Sequence, residues 1–564
     1  MRISNLQNNN YKKTNNLKLQ KIKLSFCGFL IVFSFLVIGY RTISLAGINK
    51  SNLNTFSFNR VKPIESSIRG NIFDRNNNLL ATSISISSLN INPQEVLNKN
   101  ETIIKLKKLF PRLGKAEILK KLNSTKKHVN LLREITPREH ISLLAHGIEG
   151  IKVNKRSKRI YPNNSLASHI LGNTDVDGKG IAGLEKSFNQ KLENGKDVFI
   201  SVHSGIQHIT RTLLLEQIEN FEAEGGAGII MDANNGEIYA ITSLPDYNAN
   251  NYNNVSNKKL FNKATKGIYE LGSTLKLITA AVAFESDLIK ENDVFDVSNP
   301  IRISSRTIKD FHPLNYPLNI PEVVVHSSNI GSAKIAEKFG PSLQLRYLKS
   351  LGFMKKLNLQ VPELGKPQVR TDKKLLTTMT ISYGHGIAIT PMHLASATAT
   401  IVNDGLRVNP TLIKSGTSLK ENRVFSYETS KKMRSIMRLV VSNKYGTAKK
   451  AEAEGYLVGG KTGTAEKVNP SGGYFKKQNI VAFTAAFPMD KPKYVITIMI
   501  DNPKGQKSSF GYRTAGYVAA PVVNKIVTRI APILGIKPRF NSSLNYTKDL
   551  FKYKIRGKEK EANL

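Results

Sequence analysis

Ser273 and Lys276 stand at the mouth of an apolar segment, YELGSTLKLITAAVAFESDL (Tyr269–Leu288). Three residues apart on a helix, the two side chains share a face. The residues around and after them, Leu275, Leu277, Ile278 and Ala280 to Phe284, are apolar all round, which predicts a buried helix. Burial disfavours a protonated amine, so a lysine held there would accept the serine's proton and leave the hydroxyl nucleophilic. The competing reading is a lysine that snorkels along the helix to water. The same spacing recurs at Ser124/Lys127 and Ser256/Lys259, but neither pair heads an apolar helix.

Two later segments carry groups that fit such a centre. In VVVHSSNIGSAKIAEKFG (Val323–Gly340), Ser327 and Asn329 sit where an apolar run gives way to a small-residue helix. Ser-x-Asn also occurs at Ser57/Asn59, Ser88/Asn90, Ser187/Asn189 and Ser543/Asn545, and taken alone it reads equally well as a helix cap. In GYLVGGKTGTAEK (Gly455–Lys467), Lys461, Thr462 and Thr464 alternate with glycine, offering a cation and two hydroxyls to a carboxylate. The glycines describe a strand against which another chain can lie. Lys-Ser-Gly in IKSGT (Ile413–Thr417) is a decoy on a peripheral connection after Pro410.

These groups need a scaffold. AGIIMDANNGEIYAITSLPDYN (Ala227–Asn248) reads as a hairpin, and NIVAFTAAFP with KYVITIMIDNP (Asn479–Pro488, Lys493–Pro503) as another. TAGYVAAPVVNKIVTRIAPIL (Thr514–Leu534) reads as a closing helix. Strands at both ends with helices between them predict an α+β domain over residues 221–536, its sheet built from both termini. Upstream, residues 47–220 mix short strands, charged helices and turns without a catalytic constellation. IRGNIFDRNNNLLATS (Ile68–Ser83) is a hairpin, Glu101–Asn123 a basic amphipathic helix broken at Pro111, and Gly178–Gly195 a turn followed by a helix. Residues 537–564 form a basic tail expected to be loose.

The chain has 564 residues, a net charge of +41 and one cysteine, Cys27, so neither an intrachain disulfide nor a multi-cysteine zinc site can form. The positive charge is scattered and no nucleic-acid-binding signature accompanies it. Leu24–Tyr40 carries no charge, and the preceding tail, residues 1–23, holds Arg2, Lys12, Lys13, Lys18, Lys21 and Lys23 without an acid. That pattern predicts an uncleaved anchor over residues 24–46, cytoplasmic at its N-terminus, with the rest exported. A cleaved signal peptide is the competing reading.

Ser-x-x-Lys, Ser-x-Asn and Lys-Thr-Gly, in this order, are the motif set of penicillin-binding proteins and class A β-lactamases. YELGSTLK, SSNIGSAKIA and GGKTGTAEK closely resemble the contexts of these motifs in class B penicillin-binding proteins. RGNIFDRN (Arg69–Asn76), RIYPNNSLASHILG (Arg159–Gly172) and GKGIAGLEKSFN (Gly178–Asn189) look like that family's N-terminal non-catalytic module, and the similarity extends over Ile64–Ile536. Two departures are His203, where the family often has Asp, and Ala515, where glycine is frequent.

The resemblance implies a single transmembrane helix, a β-rich pedestal or dimerisation module and a transpeptidase domain whose antiparallel sheet is flanked by helices. It implies that Ser273 attacks the carbonyl between two terminal D-alanines of a peptidoglycan stem peptide while Lys276 removes its proton. Ser327, near Lys276 and Lys461, would pass a proton to the departing D-Ala, and Asn329 would orient the substrate amide. Backbone N–H groups of Ser273 and Thr464 would form the oxyanion hole. Lys461, Thr462, Gly463 and Thr464 would hold the substrate carboxylate. No metal or organic cofactor is expected. The partners implied are donor and acceptor stem peptides, β-lactams, the inner membrane, a lipid-linked-precursor glycosyltransferase and other division proteins. The acids between the second and third motifs lack the Glu-x-x-Leu-Asn setting of a class A β-lactamase. Asn329, where elongation enzymes commonly carry Asp, and the short C-terminal tail resemble the septal branch. A lateral-wall enzyme and a non-catalytic β-lactam sensor or division scaffold are the alternatives.

Overall fold

The computed structural model describes residues 25–42, 68–303, 306–414, 422–469, 471–540 and 553–557. Ser25–Thr42 (α1) is one helix, long and apolar enough to cross a membrane. Its Ser34 and Thr42 hydroxyls donate back to the Leu30 and Ile38 carbonyls, both at 2.8 Å, which hides two polar groups in an apolar surface. The tail expected over residues 1–23, and Leu24 and residues 43–46 of the expected anchor, lie outside the described residues. The helix and the body that follows residue 67 are separate units.

That body begins with the expected hairpin, β1 (Ile72–Phe73) and β2 (Leu79–Ile91). Asp74 organises its turn, accepting from the backbone N–H of Asn76 and Asn78 at 2.7 and 2.8 Å and from the Ser204 hydroxyl at 2.7 Å. The basic helical stretch expected over 101–123 breaks around Pro111 as expected, into α2 (Lys99–Leu109) and α3 (Lys115–Leu122). With β3 (Val129–Ile135), α4 (Pro137–Ala145) and β4 (Ile151–Ile160) they close a satellite core around Leu89, Leu106, Phe110 and Ile118. β2 runs past the hairpin to pair antiparallel with both β3 and β4. Glu185 is fully buried between two arginines, accepting from Arg69 Nε and Arg159 Nε at 2.7 Å each. The helix expected after the glycine turn at 178–180 is two short ones, Gly183–Ser187 and Asn189–Glu193. The chain then passes through β5 (Val198–Phe199), parallel to β1, into α5 (Ser204–Asn220). His203 caps α5: its ring nitrogen accepts the Ile206 N–H at 3.4 Å, a task an Asp carboxylate would also perform.

The second half is built on a five-stranded sheet. β6 (Gly225–Asp232) and β7 (Ile238–Leu244) form the first hairpin, and the remaining strands arrive after a long helical stretch. That stretch comprises α6 (Lys276–Glu285), α7 (Ile320–His326), α8 (Asn329–Ser350), α9 (Pro391–Val402) and α10 (Tyr427–Ser442). β8 (Gly459–Val468), β9 (Tyr474–Phe487) and β10 (Tyr494–Asp501) then complete the sheet in the order β8-β9-β10-β6-β7. Both ends of the domain therefore build one sheet, as expected. The closing helix α11 (Ala520–Ile533) packs on α5 over one face, while α9 and α10 pack together over other parts of the sheet. β10 is buried along its whole length because helices cover both of its faces, which is why it reads as a continuous apolar run.

Within the tail expected to be loose, the described residues 553–557 depart from that expectation. Tyr553 and Ile555 pack against the main core, and Arg556 pairs with Glu322. A basic segment docks here because alternate residues are apolar and a buried carboxylate awaits its cation.

Candidate active site

Ser273 lies on a single tight turn, Gly272–Leu275, that leads into α6. The turn is pressed against β8 by glycine on both sides. Gly272 has φ +53°, and a side chain there would come within 2.8 Å of the Thr464 carbonyl. A Cβ on Gly463 would lie 2.1 Å from the Leu271 carbonyl. The backbone of Thr464 thereby reaches the Ser273 turn. Lys276 follows as the first residue of α6 and is 1% exposed, so it does not snorkel.

Ser327 arrives from the other side, at the C-terminal end of α7. Its backbone is left-handed, φ +62°, a strained setting for a non-glycine residue. This turns its carbonyl and hydroxyl towards Lys276, whose Nζ donates to them at 2.6 and 3.2 Å. The Asn329 side-chain oxygen accepts from the same amine at 2.8 Å. From β8, Lys461 Nζ donates to the Ser327 hydroxyl at 3.0 Å. The three motifs thus meet at one hydroxyl flanked by two buried amines.

Burial pushes the Lys276 amine down to about 7, with the charge of Asp310 opposing the shift. Lys461 is held well below the usual lysine range by burial and by the charge of Lys276. Removing both ammonium groups from water while setting them against one hydroxyl disfavours the doubly charged state.

Ser273, Ser327, Asn329, Thr462 and Thr464 line a cleft of about 510 Å³ whose walls include Phe311, Tyr383, Tyr512 and Tyr517. A larger cleft of about 830 Å³, lined by Phe353, Arg370 and Lys467 among others, contains none of these five residues, so size does not mark the site. Thr462 shares its hydroxyl with Thr447 at 2.7 Å, and Thr464 Oγ1 accepts the Ala515 N–H at 3.2 Å. The decoys stay apart: Ser124 follows α3 and Ser256 precedes the short helix Asn257–Leu260, and neither lines this cleft. Of the Lys-Ser-Gly decoy, residues 415–417 lie outside the described residues.

Sequence reasoning missed Asp310. Its carboxylate accepts from the Ser328 hydroxyl at 2.6 Å, from the Ile330 N–H at 3.0 Å and from the Asn329 N–H, fixing the turn that aims Ser327 and Asn329. Thr447 was missed as well, although it lies within a segment that resembles the family.

Beside edge strand β8 of an antiparallel sheet flanked by helices, the fold thus gathers Ser273, two buried lysines and the Ser327 hydroxyl between them. Residues 226–528 match the model of the penicillin binding protein transpeptidase domain, and residues 64–204 that of the penicillin-binding protein dimerisation domain. The chain belongs to the penicillin-binding protein transpeptidase family. It is 34% identical to a probable peptidoglycan D,D-transpeptidase FtsI of Caulobacter vibrioides, covering 83% of this chain and 82% of that one. It is 33% identical to the peptidoglycan D,D-transpeptidase FtsI of Buchnera aphidicola, over 90% and 94%. The crystal structure of penicillin binding protein 3 from Mycobacterium tuberculosis with aztreonam shares the fold, with TM-score 0.67, 24% identity and coverage of 84% and 98%.

Proposed function

We propose that the protein is a peptidoglycan D,D-transpeptidase that works through a serine acyl-enzyme. The observation that carries this is the Ser327 hydroxyl held between Lys276 and Lys461 beside the cleft that Ser273 lines. Ser273 Oγ attacks the penultimate D-Ala carbonyl as the neutral Lys276 amine takes its proton. The Ser273 and Thr464 N–H groups stabilise the oxyanion, a contribution of about 3–4 kcal/mol per donor. The proton then passes through Ser327 to the amine of the leaving D-Ala. Lys461, Thr462 and Thr464 hold the terminal carboxylate, Gly463 between them lets β8 lie against the Ser273 turn, and Asn329 holds the donor amide. An acceptor amine on a neighbouring stem attacks the ester, and the same relay returns a proton to Ser273. β-Lactams acylate Ser273 by the same first step.

We further assign the protein to the division site of the inner membrane, anchored by α1, with the catalytic domain outside the cytoplasm. The FtsI names of the two relatives and Asn329 in the second motif support this, as does α1, a helix apolar enough to cross a membrane. Labelling with a fluorescent penicillin tests the mechanism. The full chain should label, Ser273→Ala should not, and mass spectrometry should place the adduct on Ser273. An adduct on Ser124 or Ser256 would overturn it.

A further inference from the structure

Within residues Tyr553–Gly557, Arg556 lies against α7, the helix that delivers Ser327. Arg556 engages both ends of that helix. At the N-terminal end, Glu322 is fully buried and caps α7 reciprocally with Asn319. Arg556 gives the Glu322 carboxylate three bonds: Nε to Oε1 at 2.8 Å, Nη2 to Oε2 at 2.7 Å and its own N–H to Oε1 at 3.1 Å. Nη2 also reaches the Pro317 carbonyl at 2.8 Å. At the C-terminal end, the Arg556 carbonyl accepts from His326 Nε2 at 2.7 Å, and it also accepts at 3.3 Å from the hydroxyl of Tyr316, which precedes α7. His326 immediately precedes Ser327 and lines the same cleft. Tyr553 and Ile555 anchor the segment on the core, so the clamp does not depend on a surface ion pair.

We propose that residues 553–557 are a strap that sets the position of Ser327, with Arg556 as a positioning residue for proton transfer. The side-chain fork fixes one end of α7 and the carbonyl fixes the other. The left-handed Ser327 beyond that end is held against Lys276 and Lys461 only while α7 stays in place. Guanidinium suits the task because two parallel N–H groups match one carboxylate, which an ammonium cannot do. The strap touches none of the groups assigned to substrate, so its loss should slow chemistry without weakening initial binding.

The proposal rests on Ser273 being the acylated serine, and the experiment separates the two. Pre-steady-state acylation of the full-length protein in detergent by a fluorescent penicillin yields the acylation rate constant and the initial Kd. Arg556→Ala and a truncation after Phe540 should lower the rate constant about tenfold to a hundredfold while the Kd stays within about twofold. Because Arg556→Ala leaves a buried charge, the double variant Arg556→Met/Glu322→Gln removes both charges, and it too should be slow. Adding the peptide FKYKIRG (residues 551–557) to the truncated protein should restore the rate. A wild-type rate in the truncated protein or the double variant overturns the strap while leaving Ser273 as the nucleophile. Unfolding on truncation, or equal losses in rate and Kd, makes the segment merely structural and overturns it as well. Absence of label on Ser273 in the parent protein would instead sink the acyl-enzyme reading.

Discussion

Lys461 Nζ donates to the Ser327 hydroxyl at 3.0 Å, joining the third motif to the second across 134 residues of chain. Lys276 approaches the same oxygen from α6. Both lysines are buried, and the charge of Lys276 disfavours a proton on Lys461. Burial therefore brings a neutral Lys276 within reach near pH 7, beside a hydroxyl that can both accept and donate, as a relay from nucleophile to leaving group requires.

Lys276→Ala should lower penicillin acylation about 10²–10⁴-fold, the usual share of a general base, with the folded structure retained. Stopped-flow labelling and circular dichroism check this. Wild-type acylation in the variant would leave Lys276 as nothing more than a buried amine.

The acylation rate should rise with pH along a one-proton limb centred on about 7, the value to which burial pushes Lys276. Asp310 favours the protonated amine, so Asp310→Asn should move the limb to lower pH. A limb that moves upward or stays in place would contradict the assignment of the base.

The same two lysines bear on stability. Both titrate lower in the folded protein than in the unfolded chain, so above about pH 7 the unfolded chain binds more protons. Stability should therefore rise with pH from about 7 into the ordinary lysine range near 10.5, and Lys276→Met should flatten the slope. Urea unfolding at several pH values measures it, and a falling or flat profile for the parent chain would count against two buried, proton-poor amines.

Glu185→Ala should destabilise the N-terminal module by about 3–5 kcal/mol, because Arg69 and Arg159 would keep their burial and lose their shared carboxylate. Chemical denaturation reads the loss. Acylation by the folded fraction should not change, since neither arginine lines the catalytic cleft.

A reporter fused after residue 564 should be active only if it works outside the cytoplasm. Depletion in the native cell should give filaments without septa. Activity of a cytoplasm-only reporter would reverse the orientation, and round cells that still divide would move the protein to lateral-wall synthesis.

Much of the site was legible because its parts are contiguous. Ser273 with Lys276, Ser327 with Asn329, and Lys461 through Thr464 each occupy one turn or strand, and the sheet strands are apolar runs closed by turn residues. Asp310 was not legible because it acts from a loop, and no periodicity ties residue 310 to the turn at 328–330. The strap was hidden by composition. Lys554 and Arg556 read as a solvated tail, and the alternation of Tyr553 and Ile555 with them was its only signal. The split at Phe188 between two short helices escaped notice because the glycine turn before it reads as a single helix start.

The order of strands also sets a timetable. Met231 on β6 pairs with Val495 on β10, so the middle of the sheet joins residues that leave the ribosome far apart in time. During synthesis the hairpin of β6 and β7 must wait with an apolar edge bare, and β8, which carries Lys461, can pair with β9 but is not joined to β6 until β10 has emerged. Such distant pairing folds slowly. A chain released before Asp501 can hold Ser273, Lys276 and Ser327 and still lack a working centre, so catalytic competence arrives only with the last strand of the sheet.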